Sequence, residues 1–216
     1  MSNSSLVSYT KLSPNYSPRT EKITKITIHH AAVVNASLAG LGNGFAKPSR
    51  KASSNYGIDC NGNIGMFVEE KNRAWTSSNK DNDNRAVTIE VANSSGAPDW
   101  KISDKALAAL INLCVDICKR NGIKKLNFTG DASGNLTMHC YFTATACPGP
   151  YLKSKFKYIA QEVNKRLAPA PKPTTTPTSD KKLYRVQIGA FKVKANAEAM
   201  LAKLKAAGFD GYIKQE

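Results

Sequence analysis

A histidine and a cysteine in the second half of the chain constrain its fold most strongly. His139 and Cys147 are eight residues apart, with small and hydroxyl side chains among the residues between them. Imidazole nitrogen and thiolate sulfur are ligands that zinc prefers, and a catalytic zinc usually takes three protein ligands and a water. The chain has three histidines, and the other two, His29 and His30, lie more than a hundred residues earlier. A zinc site therefore requires a fold that brings these two distant segments together.

The earlier segment predicts a β-strand over residues 23–29, because apolar and polar side chains alternate there. Successive side chains of a strand point to opposite faces of its sheet. Thr27 and His29 therefore share one face, and His30 shares the other with the isoleucines. We expect His29 to lie on the polar side of the strand.

A second strand is predicted over residues 85–91, where the valines and Ile89 occupy one face and Glu90 the opposite one. A carboxylate that is turned away from an apolar face can take a proton from a water molecule as a general base. A hydroxyl donor such as Tyr56 or Thr145 could stabilise the oxyanion of a tetrahedral intermediate. These residue types together are sufficient for a zinc hydrolase.

The remaining periodicities predict a hairpin, helices and short strands. Asn61-Gly62 between two alternating runs favours a type I′ hairpin turn. Ser103 is a candidate N-cap for a helix that runs through Lys119. Other predicted elements are a short helix around 37–41, a polar loop over 72–84, a strand over 124–128, a turn over 131–135 and a helix over 156–167.

A segment rich in proline and threonine, residues 168–180, is typical of an extended linker. It separates a large domain, residues 1–167, from a small C-terminal module, residues 181–216. Within the module, the patterns predict a βαβ unit made of a strand over 183–191, a helix over 195–207 and a strand over 209–213.

Composition limits the partners of the chain. The 31 Lys+Arg against 16 Asp+Glu give a net charge of +15, which favours an anionic partner. We do not expect nucleic acid, because the lysines are scattered and no aromatic and basic ladder accompanies them. The five cysteines have no regular spacing, which indicates synthesis in a reducing compartment. Residues 1–19 lack the apolar core of a signal peptide, and no apolar run predicts a membrane span.

Four segments together resemble the zinc-dependent N-acetylmuramoyl-L-alanine amidases of the type-2 amidase and peptidoglycan-recognition-protein superfamily. The resemblance covers roughly residues 20–167, in order along the chain, which makes 1–167 the expected catalytic domain. The segments are ITIHH at 26–30, NYGI at 55–58, VTIEV at 87–91, and His139 with Cys147-Pro148-Gly149 eight residues later.

This resemblance implies an α/β fold in which helices flank a mixed central β-sheet. It also implies one zinc ion, held by His29, His139 and Cys147. His30 is then expected to be a packed histidine beside the site. Cys140 is expected to lie outside the ligand set, because a catalytic zinc keeps its fourth position open for water.

The resemblance further implies which side chains act around the metal. Glu90 corresponds to the catalytic base of many bacterial members, and Tyr56 to a tyrosine that assists at the site. Thr145 occupies a position that is lysine in some members and threonine in others. The implied reaction is hydrolysis of the amide that joins N-acetylmuramic acid to the L-alanine of the stem peptide in bacterial peptidoglycan.

The C-terminal segment YRVQIGAFKVKANAEAMLAKLKAAGFDGYIK resembles the first half of a SPOR domain, a family that binds glycan strands stripped of peptides. The family fold holds two such βαβ halves, and this chain contains one. An isolated βαβ unit of this size is marginally stable. We therefore expect the module either to pair with a second copy, as a homodimer, or to have lost binding.

Two hypotheses of other classes compete with the amidase. A non-catalytic peptidoglycan-binding protein of the same fold is disfavoured by the presence of Cys147, and a zinc-stabilised nucleic-acid-binding protein would need closely paired ligands. A wall-degrading domain without a signal peptide is typical of a phage endolysin released through a holin, or of a bacterial autolysin of prophage origin. Both would be made in the cytoplasm and would act on the cell wall after release or lysis.

Overall fold

The computed structural model describes residues 2–168 and 186–215. The chain divides into two units, Met1–Ala170 and Pro171–Glu216. Within the described ranges, no helix has the length and apolar character needed to cross a membrane. The strands of the first unit are β1 (Val7–Thr10), β2 (Tyr16–Pro18), β3 (Lys25–Val34), β4 (Tyr56–Ile58), β5 (Ile64–Met66), β6 (Asn72–Ala74), β7 (Ala86–Asn93) and β8 (Leu136–Met138), and its α-helices are α1 (Leu38–Phe45), α2 (Lys80–Arg85), α3 (Asp104–Arg120) and α4 (Gly149–Leu167).

A six-stranded sheet organises the first unit, with the strand order β1-β5-β4-β7-β3-β8. Its neighbouring strands are parallel, except for the antiparallel pair of β4 and β5. Strands β2 and β6 form a separate antiparallel pair. The mixed central sheet flanked by helices that the sequence predicts is confirmed.

One face of the sheet packs against α3 and α4 and forms the hydrophobic core. Ile28 and Ile89 from the central strands are fully buried there, together with Leu110 of α3 and Phe156 of α4. Burial of each such side chain contributes about 1.5–3 kcal/mol. The helix α3 begins as predicted, because the Ser103 hydroxyl accepts a hydrogen bond from the amide of Ala106.

The opposite face of the sheet is a buried layer of hydroxyl and amide groups. The hydroxyls of Thr27 and Thr137 lie 2.9 Å apart, and the side-chain amide of Asn82 in α2 donates to Thr27 over 3.0 Å. Buried polar groups are tolerated when they are hydrogen-bonded in this way. Because side chains alternate along a strand, the next positions on this polar face are His29 in β3 and Glu90 in β7.

The strand predicted over residues 124–128 is wrong. The amide of Leu126 donates to the side-chain oxygen of Asn164 over 2.7 Å, and the Asn164 side chain donates back to the Leu126 carbonyl over 2.8 Å. One side chain of α4 thus satisfies both backbone groups that a sheet would otherwise pair. The edge of the sheet is instead β8, which the alternation does not predict.

Other predicted elements are present with different bounds or geometry. The hairpin exists, but residues 59–63 connect its paired ends, so the two-residue type I′ turn is wrong. Gly62 adopts a φ of +84° at the end of this loop, and its amide donates to the carbonyl of Asp59. The polar loop predicted over 72–84 contains β6 and α2, and α4 begins at Gly149 rather than near residue 156.

Arg19 ties the N-terminal segment to the rest of the first unit. Its guanidinium donates hydrogen bonds to backbone carbonyls of two stretches, residues 70–72 and 83–86, and burial lowers its pKa to about 10. A carbonyl left without a donor in such a place costs about 1–3 kcal/mol. The acceptors are the carbonyls of Glu70, Asn72, Asp83, Asn84 and Ala86.

Residues 186–215 of the second unit contain one helix, α5 (Lys194–Ala206), which confirms the helix predicted over 195–207. The strands of the predicted βαβ unit are wrong for residues 186–191 and 209–213, which form no strand. Residues 183–185 and all of the predicted linker except Ala168 lie outside the described residues. The apolar side chains that two strands would have buried are therefore exposed, and Val186 is 90% exposed.

Candidate metal centre

Two adjacent parallel strands position the first half of the site. In the pairing of β3 with β7, His29 lies directly opposite Glu90, and both project from the polar face of the sheet. His29 is almost fully buried, with 1% of its surface exposed. The imidazole and the carboxylate are therefore neighbours because of the register of this strand pair.

The second half of the site follows β8, which pairs with the other edge of β3. The backbone leaves β8 in a short 3₁₀ turn, His139–Tyr141, and then returns, so that the amide of Cys140 donates to the carbonyl of Cys147 over 3.2 Å. This bond closes the loop between His139 and Cys147. It brings the cysteine back to the end of the sheet from which the loop departs.

The structure brings His29, His139 and Cys147 together. One ligand atom from each residue lies within 4.8 Å of the other two. The Cys147 Sγ is 3.7 Å from His29 Nδ1, and the two imidazole rings have centroids 4.6 Å apart. With zinc bond lengths of about 2.0–2.3 Å, two ligand atoms of one tetrahedron are separated by roughly 3.6 Å. The observed separation of sulfur and nitrogen fits that value.

The chemical state of these groups also fits a zinc ion. Burial lowers the pKa of His29 well below its usual value, the charges of His139 and His30 lower it further, and burial lowers the pKa of His139 too. Both imidazoles are thus neutral, as metal ligands must be. The Nε2 atoms of His29 and His139 are buried and have no hydrogen-bond partner within the described part of the chain.

Cys147 needs a cation to become a thiolate. Burial raises the pKa of its thiol, and the nearby charge of Glu90 raises it further. A divalent cation reverses this effect, because a coordinated thiol is deprotonated. The residue therefore fits a ligand in a metal site and does not fit a free reactive thiol.

Glu90 is half-buried beside the cluster. Burial raises its pKa to about 8, and the positive charge of Arg50 acts in the opposite direction. Its Oε2 atom is buried and has no hydrogen-bond partner among residues 2–168 and 186–215. A carboxylate held in this way is available to exchange a proton with a water or a substrate.

Thr145 and Cys140 lie in the loop that ends at Cys147, and they differ in what they contact. The Thr145 hydroxyl accepts a hydrogen bond from the amide of Cys147 over 3.2 Å, so it fixes the backbone at the cysteine. The Cys140 side chain packs against the hydrophobic core. The Thr145 hydroxyl is thus bonded to the backbone of a candidate ligand, whereas Cys140 is packed on the core and is absent from the ligand cluster found among the described residues.

Tyr56 is not brought to the site, which corrects its predicted role. It pairs with Ile89 across β4 and β7, so it shares the core face of the sheet, whereas its neighbour Gly57 pairs with Glu90. The Tyr56 hydroxyl donates to a carboxylate oxygen of Glu70 over 2.7 Å and accepts from the amide of Ser4 over 3.0 Å. Because side chains alternate along the strand, the Tyr56 side chain lies on the face of the sheet opposite to His29 and Glu90.

Glu70 makes Tyr56 part of a buried structural network. This carboxylate is fully buried and forms a two-pronged ion pair with Arg120 of α3, with oxygen to nitrogen distances of 2.6 and 2.9 Å. Asn121 also donates to it, over 3.1 Å. The Tyr56 hydroxyl therefore satisfies a buried charge that holds the N-terminal segment to α3.

His30 lies on the core side of β3, as the alternation predicts. Its ring packs edge-on against Trp100, with centroids 5.4 Å apart, and it is 9% exposed. His30 does not belong to the cluster of ligand atoms found among the described residues.

The sequence patterns did not predict helix α2, which carries the buried carboxylate of Asp83. Asp83 in α2 is buried and accepts hydrogen bonds from Ser77 and Thr76. Burial lowers the pKa of His139, and the charge of Asp83 offsets part of that effect. Its helix lies in a stretch predicted as loop. The N-cap of that helix, where Asn79 accepts from the amide of Asn82, was a signal that could have found it.

Comparison with known proteins assigns the chain to a family. The fold and the site define a mixed α/β protein with a set of metal-ligand side chains at one end of its parallel strands. A family model described as N-acetylmuramoyl-L-alanine amidase matches residues 19–150, and the chain belongs to this family. A second family model, the SPOR domain, matches residues 159–215.

Solved structures share the fold at low sequence identity. PlyL is 17% identical with a TM-score of 0.57, covering 72% of this chain and 95% of its own. The catalytic domain of XlyA is 19% identical with a TM-score of 0.56, covering 72% of this chain and 97% of its own. A selenomethionine derivative of AmpD is 17% identical with a TM-score of 0.55, covering 73% of this chain and 96% of its own.

A curated relative matches a short stretch closely. The sporulation-specific N-acetylmuramoyl-L-alanine amidase of Bacillus subtilis (strain 168) is 56% identical over 36 residues. This stretch is 17% of the present chain and 14% of the relative, so the chain spans a small part of that protein's length.

We expect Tyr56→Phe to lower the free energy of unfolding by about 1–3 kcal/mol, because it leaves the buried carboxylate of Glu70 without one donor. Zinc content and activity of the folded protein should stay unchanged, since the hydroxyl faces away from the cluster. Urea unfolding and metal analysis measure these quantities. Tyr158→Phe, at an exposed tyrosine of α4, is the matched control. A large loss of activity in folded Tyr56→Phe would contradict this placement.

Proposed function

We propose that the chain hydrolyses the amide between N-acetylmuramic acid and the L-alanine of the stem peptide in bacterial peptidoglycan. The observation that carries this proposal is the cluster of His29, His139 and Cys147 with the Glu90 carboxylate beside it. Membership of the amidase family supports the same substrate. The site would thus cleave the peptide from the glycan.

One zinc ion would be held by His29, His139 and Cys147. When bound, zinc supplies Lewis-acid polarisation of the scissile carbonyl and a water whose pKa is lowered toward neutrality. The protein contributes the neutral imidazoles and the sheltered thiol that such an ion requires. The polar layer beneath, which includes Thr27 and Asn82, holds the strand that carries His29.

Glu90 would serve as the general base. Its partnerless Oε2 can take a proton from the attacking water and pass it to the leaving nitrogen. Its fixed position opposite His29 in the sheet keeps this oxygen near the cluster throughout the reaction. A raised pKa suits a group that must carry a proton from one reactant to the other.

Thr145 would stabilise the developing oxyanion. Its hydroxyl oxygen already accepts from the amide of Cys147, which orients the group and leaves its own proton available to the substrate oxygen. Tyr56 takes no part in this mechanism.

The C-terminal unit would bind the glycan of the cell wall, which places the action of the protein at that wall. The SPOR family match supports this assignment. We assign residues 1–167 to the catalytic domain, 168–180 to the linker and 181–216 to the wall-binding module. The unit exposes apolar side chains at Val186 and Phe209, and a second copy of the chain could cover them as a homodimer.

We expect Glu90→Gln to reduce the release of L-alanine amino groups from purified cell walls by about 10²–10⁴-fold, because the amide cannot accept the proton. Zinc content should stay the same, since the ligands are intact. New reducing sugar ends should not form with the unaltered protein. Glu21→Gln, at an exposed glutamate, is the control. Full activity of Glu90→Gln would remove Glu90 from the mechanism.

We expect Cys147→Ser to weaken zinc binding by more than about 100-fold, because the variant loses a ligand. Loss of a group that only hydrogen-bonds to a ligand typically costs about 10–100-fold. Competition with a chromophoric chelator measures this affinity. Cys140→Ser is a close control, because it changes a neighbouring thiol that packs against the core. Equal zinc affinity in the two variants would contradict the assignment of Cys147 as a zinc ligand.

We expect the full chain to self-associate in sedimentation experiments at increasing concentration, and Phe209→Asp to weaken this association by about tenfold or more, because an apolar contact is lost. Tyr158→Asp, at an exposed aromatic residue of the first unit, should leave it unchanged. A chain that remains monomeric at the highest concentration would rule out the homodimer.

A further inference from the structure

A cavity of about 360 Å³ lies where β3 ends, between residues 31–36, helix α1 and the short turn that carries Arg50. Its walls are largely apolar and include Val33, Leu41 and Phe45. Among the residues that line it, all within the described range 2–168, Arg50 is the charged one. Such a cavity suits a ligand that has an apolar body and one anionic group.

The guanidinium of Arg50 is held in place at this cavity. Its central carbon lies 5.1 Å from the centroid of the Phe45 ring, and that ring is itself packed on Phe67 with centroids 5.3 Å apart. A Cβ at Gly44 would lie 3.3 Å from Arg50 Nη1, so the glycine admits the guanidinium against the backbone. A planar cation stacked on an aromatic face is positioned before a ligand arrives.

Arg50 forms no ion pair within the part of the chain that the structure describes. The hydrogen bond that Arg50 makes within this part of the chain comes from its backbone amide, which donates to the carbonyl of Lys47. Its guanidinium takes part in none of the ion pairs there. By contrast, Arg120 is fully engaged by Glu70 and Asp116. The donors of Arg50 are thus available for a carboxylate, which a guanidinium binds in a bidentate fork.

The cavity adjoins the metal cluster. The residues of β3 that line it directly follow His29 and His30, and the charge of Arg50 acts on the Glu90 carboxyl. A strand or an extended peptide advances about 3.3 Å per residue, so Ala31 at the cavity wall lies about 7 Å along β3 from His29. An extended peptide covers that distance in about two or three residues. A peptide held at the cluster would therefore reach the cavity with its second or third residue.

We propose that Arg50 is a specificity-determining residue that binds a carboxylate of the stem peptide, on the second or third residue after the lactyl group, while the peptide lies along the apolar wall of the cavity. This inference rests on the proposed function, because it assigns a subsite to the same reaction. The exposed side chains of Val33 and Val34, 53% and 45% exposed, provide the apolar wall.

The test uses the full chain and two synthetic muramyl peptides. One peptide carries free carboxylates on the second and third stem residues, and the other carries carboxamides there. We expect Arg50→Gln to raise KM about tenfold for the first peptide, because a charge-assisted hydrogen bond is lost, and to change KM less than twofold or so for the second. kcat should change little, and Arg50→Lys should recover part of the loss.

Lys47→Gln is the matched control, since it removes one exposed positive charge three residues away and outside the cavity. Equal effects of Arg50→Gln on the two peptides, or equal KM values of the unaltered protein for both, would overturn the proposal. If neither peptide is cleaved, the proposed function fails. Calorimetric binding of the free-carboxylate peptide to the unaltered protein and to Arg50→Gln then decides: weaker binding by Arg50→Gln supports the subsite, and equal binding overturns it.

Discussion

The pairing of β3 with β7 is the interaction on which the rest of the structure depends. Its register places Ile28 beside Ile89 on the core face and His29 beside Glu90 on the polar face. A slip by one residue would exchange the two faces and would bury the site in the core. The hydrophobic core under α3 and α4 therefore fixes the register, and through it the position of the Glu90 carboxylate relative to the His29 imidazole.

A polar face inside a protein is costly unless its groups find partners. Most of this face meets that condition through side chains such as Thr27, Thr137 and Asn82. Within the described residues, buried side-chain atoms without partners are concentrated at the site, on His29, Glu90 and His139, with the others on His30 and Asn93 nearby. In the proposed function, a metal ion and a substrate would bind these groups, so the buried polar atoms without partners coincide with the proposed chemistry.

Alternation along a strand was sufficient to place some residues and insufficient for others. It put His29 and Glu90 on one polar face, because side-chain direction within a strand is a local property. The resemblance assigned Tyr56 to the site, but in the sheet it is Gly57 that pairs with Glu90. Tyr56 therefore lies on the opposite, core face, where its hydroxyl donates to Glu70. The strand predicted around Leu126 failed because Asn164, distant in sequence, takes over its backbone hydrogen bonds.

The sequence by itself determined the central strands and the helix that begins after Ser103, because periodicity and capping act over a few residues. It also contains the residue types of the candidate metal site. It could not determine that β8 forms an edge strand and returns His139 and Cys147 to His29, since that depends on contacts across more than a hundred residues. Nor could it distinguish Arg50 among 31 basic residues. Only the tertiary structure stacks that guanidinium on Phe45 beside the cavity, because packing decides which charge remains unpaired.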